Sequence, residues 1–271
     1  MRDEILDTYI KICSLKNLNP CKKNNYLFSK LVYLVFDPAI KNTLKPNQLK
    51  RLRKVCSKAE YFLELFWAKK LINSKNVWKE LKLFPYFHNY RKLTELEWFT
   101  LKGCEAHQTH KKVTFIGGGP LPLTAILLSK LYEVNVVVLE KNLEACQISR
   151  LLINKLGLSE KIKIIFCNGE DYKNYGDSDV IILAALAGES KESKKLIIRQ
   201  IEIFSKNKSH ILARSSYGKR KMLYLPIDNS SLGKMEKILE IRPLNDIVNS
   251  TIILRNKKLN LIKPYRITEV C

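Results

Sequence analysis

The sequence predicts an α/β fold, in which a helical segment precedes a doubly wound, mostly parallel sheet of seven strands. Three observations carry this. Glycine is absent before Gly103, and apolar positions in that stretch recur at helical spacing. Beyond Val113, short β-branched runs alternate with helical patterns, which implies crossover connections and parallel pairing. The first of those runs ends in FIGGGPLPLT (115–124), a strand that stops at three glycines and turns directly into a helix.

The elements follow in order. Leu27, Leu31, Leu34 and Val35 mark one early helix. Leu52, Val55, Ala59, Phe62 and Phe66 mark the apolar ridge of a longer one between Leu49 and Leu71. Pro20, Pro38, Pro46 and Pro85 punctuate this part. A strand at Val113–Ile116 and a helix at Leu123–Leu131 come next. A strand at Val134–Leu139 leads to a helix at Leu143–Leu156, capped by Gly157. Strands at Ile162–Phe166 and Val180–Ala184, a helix at Lys191–Phe204 and strands at His210–Ala213 and Met222–Leu225 follow. A short helix at Ser231–Leu239 and a strand at Thr251–Leu254 complete the set. The last two strands can pair antiparallel. The expected organisation is a helical domain over 1–105, a sheet domain over 111–258 and a basic, poorly ordered tail over 259–271.

Glycines at a strand-to-helix turn bring bare backbone N–H groups close to a ligand. In an open α/β sheet, a nucleotide-like molecule sits there. The acid expected to hold its ribose is Glu140, at the end of the next apolar run, about the usual ~20 residues downstream. No G-K-[ST] follows the glycines, which argues against a P-loop and leaves a dinucleotide or S-adenosylmethionine. Seven strands with an antiparallel edge is the pattern of S-adenosylmethionine-dependent transferases.

Composition narrows the class. At 46% hydrophobic residues the chain can bury a core. No apolar run approaches the ~20 residues of a membrane span, and MRDEILDTYI does not read as a signal peptide. A soluble, cytoplasmic protein with no membrane association is therefore expected. The seven cysteines are scattered without a C-x-x-C pair, so neither a disulfide framework nor a zinc ribbon is expected. Cys104, His107 and His110 have ligand-like spacing but fall in a polar connector, and are read as linker rather than a metal site. The net charge of +22 would attract polyanions. The lysines are dispersed, without interleaved aromatics, so the charge is read as solvated faces and no nucleic-acid partner is expected.

Several blocks, in order along both parts, resemble the nicotianamine synthase family. They are SLKNLNPCKKNNYLFSKLV (14–32), VCSKAEYFLEL (55–65), LFPYFHNYRKLTELE (83–97), FIGGGPLPLT, LAALAG (183–188), RSSYGKRKMLY (214–224) and DIVNS (246–250). The resemblance implies a Rossmann-like, class I S-adenosylmethionine-dependent domain behind the helical one. It also implies transfer of a 3-amino-3-carboxypropyl group from S-adenosylmethionine to an amine. In the family, three such units condense into nicotianamine, a metal chelator, with release of methylthioadenosine. S-adenosylmethionine is the substrate, and no metal is required.

An ammonium is no nucleophile until it loses a proton, so the reaction needs a carboxylate of raised pKa. The resemblance places that base on Glu64, with Glu60 one turn back on the same face. Tyr90 is the second catalytic candidate. Tyr86 and Asn89 share its segment and would line the substrate cavity, as would Tyr217, which stands where plant members have histidine. Arg214 ends a strand and could clamp a substrate carboxylate by two parallel hydrogen bonds. For S-adenosylmethionine, Gly117, Gly118, Gly119 and Pro120 form the close-approach loop. Glu140 and Lys141 lie at the ribose, Glu170 and Asp171 at the adenine, and Ala184, Ala185 and Leu186 form a wall. The first acceptor, the number of units and the oligomeric state stay open.

The alternative is an S-adenosylmethionine-dependent RNA methyltransferase with a basic helical domain. Such enzymes often carry N/D-P-P-Y/F after the fourth strand, where this chain has LAALAG. A binding protein that has lost catalysis would not need both Glu64 and Tyr90.

Overall fold

In the computed structural model, residues 3–104, 110–206 and 209–256 are described. The expected basic tail at 259–271, and His107 of the connector, lie outside them.

Five helices come first: α1 (Glu4–Cys13), α2 (Lys22–Phe36), α3 (Pro46–Ile72), α4 (Val77–Leu81) and α5 (Phe87–Cys104). Asp3 caps α1 by accepting from the Leu6 amide at 3.0 Å, and Pro46 opens α3 at a position that needs no amide donor. The apolar ridge expected on α3 is only half realised. Leu52 and Ala59 are buried, but Phe66 is half exposed, and Ala68 and Leu71 carry the contact instead. The helix runs past an internal chamber, so the face bearing Glu60 and Glu64 turns neither to solvent nor to apolar core.

The second part runs β1 (Lys112–Ile116), α6 (Leu123–Tyr132), β2 (Asn135–Glu140), α7 (Leu143–Lys155), β3 (Ile162–Phe166), β4 (Val180–Leu183), α8 (Lys191–Phe204), β5 (His210–Ser215), β6 (Glu236–Ile241) and β7 (Ser250–Arg255). One seven-stranded sheet has the order β3-β2-β1-β4-β5-β7-β6. The first five strands in that order are parallel; β7 pairs antiparallel with both β5 and β6. Two expectations fail near the end. Met222–Leu225 is not a strand: Gly218–Met222 is a 3-10 turn, and Leu223 packs with the N-terminal helices. The sixth strand is Glu236–Ile241, in place of the short helix expected from Ser231. Its residues are only half-buried at the sheet edge, which blurs the alternation that would have marked a strand.

Alternation with a period of two sorts strand side chains onto both faces of the sheet. Val113, Phe115, Val180 and Ile182 face one cluster, while Ile116, Ile181 and Leu183 face another. The first cluster also takes Ala68, Leu71, Phe84, Trp98 and Leu101 from the helical part. A third cluster joins α1, α2 and α3 to Met222 and Leu223. The helical part thus shares two of its packing surfaces with the sheet part. Among the described residues, no helix is long and apolar enough to cross a membrane.

Candidate active site

The parallel strands end on one edge of the sheet, where their following loops face α3 and α5. Between them lies a chamber of about 990 Å³. That is large enough for a nucleoside together with a second small molecule.

At one end lies the glycine loop. Gly119 has φ +63, and a Cβ there would come 2.5 Å from Glu64 Oε2. This close approach lays the Glu64 carboxylate, carried by the helical half, directly on the loop after β1. Glu140, at the end of β2, accepts from the Gly119 amide through Oε2 and from the Asn142 amide through Oε1, both at 2.8 Å. These two bonds hold the carboxylate in one orientation while each oxygen keeps a second lone pair. Asn142 caps α7 by accepting from the Ala145 amide at 2.9 Å.

At the centre, two carboxylates and two phenols form a cluster. The Tyr90 hydroxyl lies 3.3 Å from both Glu60 Oε1 and Glu64 Oε1. The Tyr224 hydroxyl donates to Glu60 Oε2 at 3.0 Å. Burial pushes the Glu64 carboxyl well above its ordinary value, and the Glu60 charge adds to the effect. Burial also raises Glu60, against the opposing hydrogen bonds from Tyr224 and Tyr90. Tyr90 and Tyr224 are held well above the usual phenol range, first by burial and then by the neighbouring carboxylates. Tyr86 is pushed up to about 12, chiefly by burial. No cation forms an ion pair with Glu60 or Glu64 among the described residues. Such a pair of carboxylates attracts any cation that enters.

Most residues expected at the site do meet here. Glu60, Glu64, Tyr86, Asn89, Tyr90, Gly117, Gly118, Gly119, Glu140, Lys141, Glu170, Ala184, Ala185, Leu186 and Arg214 all border the chamber. Asn89 also donates to the Asp246 carbonyl at 2.7 Å, which ties α5 to the loop before β7. Lys141 pairs with Glu189 at 2.6 Å across the mouth.

Four of the expected residues are placed otherwise. Arg214 borders the chamber, but its two parallel hydrogen bonds go to Glu97, with Nε at 3.0 Å and a terminal nitrogen at 2.8 Å. Its other terminal nitrogen reaches Thr124 Oγ1 at 3.0 Å. A fully buried guanidinium requires an internal counter-charge, and Glu97 supplies it. Tyr217 lies outside the chamber, where its hydroxyl donates to the Pro243 carbonyl and its ring stacks under Arg220 at 4.4 Å. Pro120 is buried within the turn and does not border the chamber. Asp171 is exposed, accepts from the Asn168 side chain at 3.1 Å, and borders a small pocket beside the chamber with Lys141, Cys167 and Asn168, which line both.

Sequence reasoning missed Tyr224 and Glu97. Tyr224 ends the RSSYGKRKMLY block, which was the signal available. Glu97 looks like any helical glutamate until its partner on β5 is seen.

Among the described residues, no group of three His, Cys, Asp or Glu is arranged to hold a metal ion.

The strand order, the antiparallel β7, the glycine loop and the acid ending β2 define the S-adenosylmethionine-dependent transferase class. Comparison with known proteins narrows it. The profile of the nicotianamine synthase protein family matches residues 1–261. Nicotianamine synthase 2 of Arabidopsis thaliana is 34% identical over 93% of this chain and 82% of its own length. Nicotianamine synthase of Solanum lycopersicum is 30% identical over the same shares. The chain belongs to the nicotianamine synthase family. The crystal structure of MtNAS in complex with MTA and tNA has the same fold, with TM-score 0.83 and 23% identity over 94% of this chain and 97% of that one. A glutamate-to-glutamine variant of MtNAS in complex with S-adenosylmethionine superposes with TM-score 0.78 at 24% identity.

Proposed function

We propose that this protein is an aminocarboxypropyl transferase that condenses S-adenosylmethionine into nicotianamine, or a close analogue, and releases methylthioadenosine. The observation that carries the reading is the contact between Glu64 and Gly119. A base from the helical half rests on the loop that would cradle the donor.

In each condensation, an acceptor nitrogen attacks the carbon next to the sulfonium. A carbon–nitrogen bond forms, the carbon–sulfur bond breaks, and sulfur leaves as a neutral thioether. The nitrogen must first shed a proton, and Glu64 takes it. Its raised pKa suits it to that task, because a base works best when its pKa lies near the working pH. Donor and acceptor are both cations, and their arrival favours the ionised form of the Glu60–Glu64 pair. Tyr90 bridges the two carboxylates and orients them, and Tyr224 holds Glu60 from the far side. Glu140 accepts the ribose hydroxyls, Glu170 lies at the adenine, and Ala184, Ala185 and Leu186 wall the nucleoside. Arg214, committed to Glu97, keeps a positive charge at the chamber wall instead of gripping a carboxylate. The boundary between a helical domain at 1–105 and a sheet domain at 111–258, and a cytoplasmic location, belong to this reading.

The RNA methyltransferase reading is not favoured by any feature of the chamber. Mass spectrometry of the purified protein incubated with S-adenosylmethionine alone tests the assignment. Methylthioadenosine with nicotianamine is the expected outcome. Methylthioadenosine with a smaller condensate would shift the acceptor and keep the reaction. S-adenosylhomocysteine formed only when RNA is added would overturn the assignment.

A further inference from the structure

Behind the chamber wall lies a charge that the proposed reaction does not use. Lys194, in the first turn of α8, is 1% exposed. Its Nζ donates to the carbonyls of Ala185 and Ala187, each at 2.8 Å. It has no ion-pair partner among the described residues. Two factors disfavour a cation there. Burial strips its water and pulls its pKa down to about 8. The start of a helix also carries the positive end of the dipole. A lysine buried against both makes two carbonyl hydrogen bonds that an apolar side chain of the same length cannot.

Its two acceptors indicate the task. Ala185 and Ala187 belong to the loop between β4 and α8, which borders the chamber while Lys194 itself does not. The loop lies between the ammonium and the chamber. A trans peptide unit points its C=O and N–H in opposite directions. With the carbonyls of Ala185 and Ala187 turned onto Nζ, the amides of Leu186 and Gly188 turn away from it. Neither amide has a protein acceptor among the described residues. Gly188, at φ +75, lies against the lysine stem: a Cβ there would come 2.8 Å from Lys194 Cγ. On its other side the loop meets the glycine loop. A Cβ on Gly117 would come 2.9 Å from the Ala187 Cβ and 3.3 Å from the Ala184 Cβ.

We infer that Lys194 is a positioning residue for the nucleoside: its buried ammonium sets the peptide orientation of the 184–188 loop, and so shapes the wall that receives the adenosyl group and the amides offered to it. This rests on the proposed function only in that the bound molecule is a thioether nucleoside. Lys194 touches no reacting atom. Its effect should therefore fall on donor affinity rather than on the chemical step carried by Glu64.

The test is calorimetric binding of methylthioadenosine to the full chain, with KM and kcat for S-adenosylmethionine measured alongside. Lys194→Met should weaken methylthioadenosine binding at least tenfold at unchanged stoichiometry, and should raise KM with kcat within about threefold, because uniform binding is what is lost. Lys194→Arg, which keeps a buried cationic donor, should recover much of the affinity. If Lys194→Met binds like the wild type, or loses stoichiometry while the remaining sites keep wild-type affinity, the lysine is merely structural and the inference is wrong. Should that variant not fold, Lys194→Gln carries the test, since it retains two N–H donors without the charge. Threefold or greater weakening would support the inference, and unchanged affinity would overturn it. Wild-type binding without release of methylthioadenosine from S-adenosylmethionine would sink the proposed reaction while leaving this binding test intact.

Discussion

Glu64 shows how one side chain changes meaning with its surroundings. On an isolated helix it is one of many solvated glutamates. In the folded chain it rests on Gly119, shares Tyr90 with Glu60, and lacks a counter-cation. Its carboxyl is held above its ordinary 4.5. The folded chain therefore keeps a proton that the unfolded chain has released. The stability this contributes is complete below about pH 4.5 and is lost as pH rises through the folded-state value. Glutamine is neutral throughout. Glu64→Gln should thus unfold at a higher temperature than the wild type at neutral pH, with the gap closing toward pH 4.5. Thermal scans of the ligand-free protein across pH check this, and a gap independent of pH would show the carboxyl to be unperturbed. The same variant should bind methylthioadenosine normally yet lose about 10²–10⁴-fold in turnover, the usual contribution of a general base. Normal turnover would remove Glu64 from that role.

Between elements, buried carboxylates act as joints. Glu140 links the glycine loop to the start of α7 through two amides. Glu140→Ala should weaken methylthioadenosine binding by about 1–3 kcal/mol, as a charge-assisted bond and its orienting contacts are lost. Unchanged affinity would place the ribose acid elsewhere. Glu97 joins four elements: α5 carries it, Arg214 of β5 grips it, Thr124 of α6 shares the arginine, and Thr251 of β7 donates to it at 2.7 Å. Removing one partner of a fully buried pair leaves an uncompensated charge, so Glu97→Leu or Arg214→Met alone should each cost about 3–5 kcal/mol. The double variant should cost well below the sum, because no charge is stranded. Denaturant midpoints for the four proteins complete the cycle. Additive losses would show that the pair is not coupled.

At the scale of the molecule, two of the three apolar clusters draw on both the helical and the sheet part, while the third belongs to the sheet part alone. Leu71, Phe84, Trp98 and Leu101 pack in one cluster with Val113, Phe115 and Ile182, and Leu223 sits among the N-terminal helices. A fragment spanning 110–256 would expose that apolar face. It should show no cooperative thermal transition and should bind a hydrophobic dye, whereas the full chain should unfold in one step. A fragment with its own sharp transition would show that the sheet part folds alone. The same sharing encloses the chamber: the base comes from α3, the phenols from α5 and the loop after β5, and the donor loops from the sheet.

What could be read along the chain was whatever has a period or a local signature. The β-branched runs separated by helical patterns announced the parallel sheet. FIGGGPLPLT announced the turn, and the spacing to Glu140 announced the acid, because a strand–turn–helix unit has a nearly constant length. The ordered blocks pointed to the family, and with it to Glu64 and Tyr90. What could not be read depended on neighbours distant in sequence. The sixth strand was misplaced because an edge strand, half-buried on both faces, loses its alternation. Arg214 was expected to hold a ligand because nothing local reveals that Glu97, 117 residues away, already fills its fork. Tyr217 was expected in the cavity, but Pro243 and Arg220 claim it elsewhere. Tyr224 and Lys194 became visible only through the carboxylate and the carbonyls that they meet. Local backbone preference is written in short stretches of chain, whereas the environment of a buried polar group is set by whatever folding brings against it.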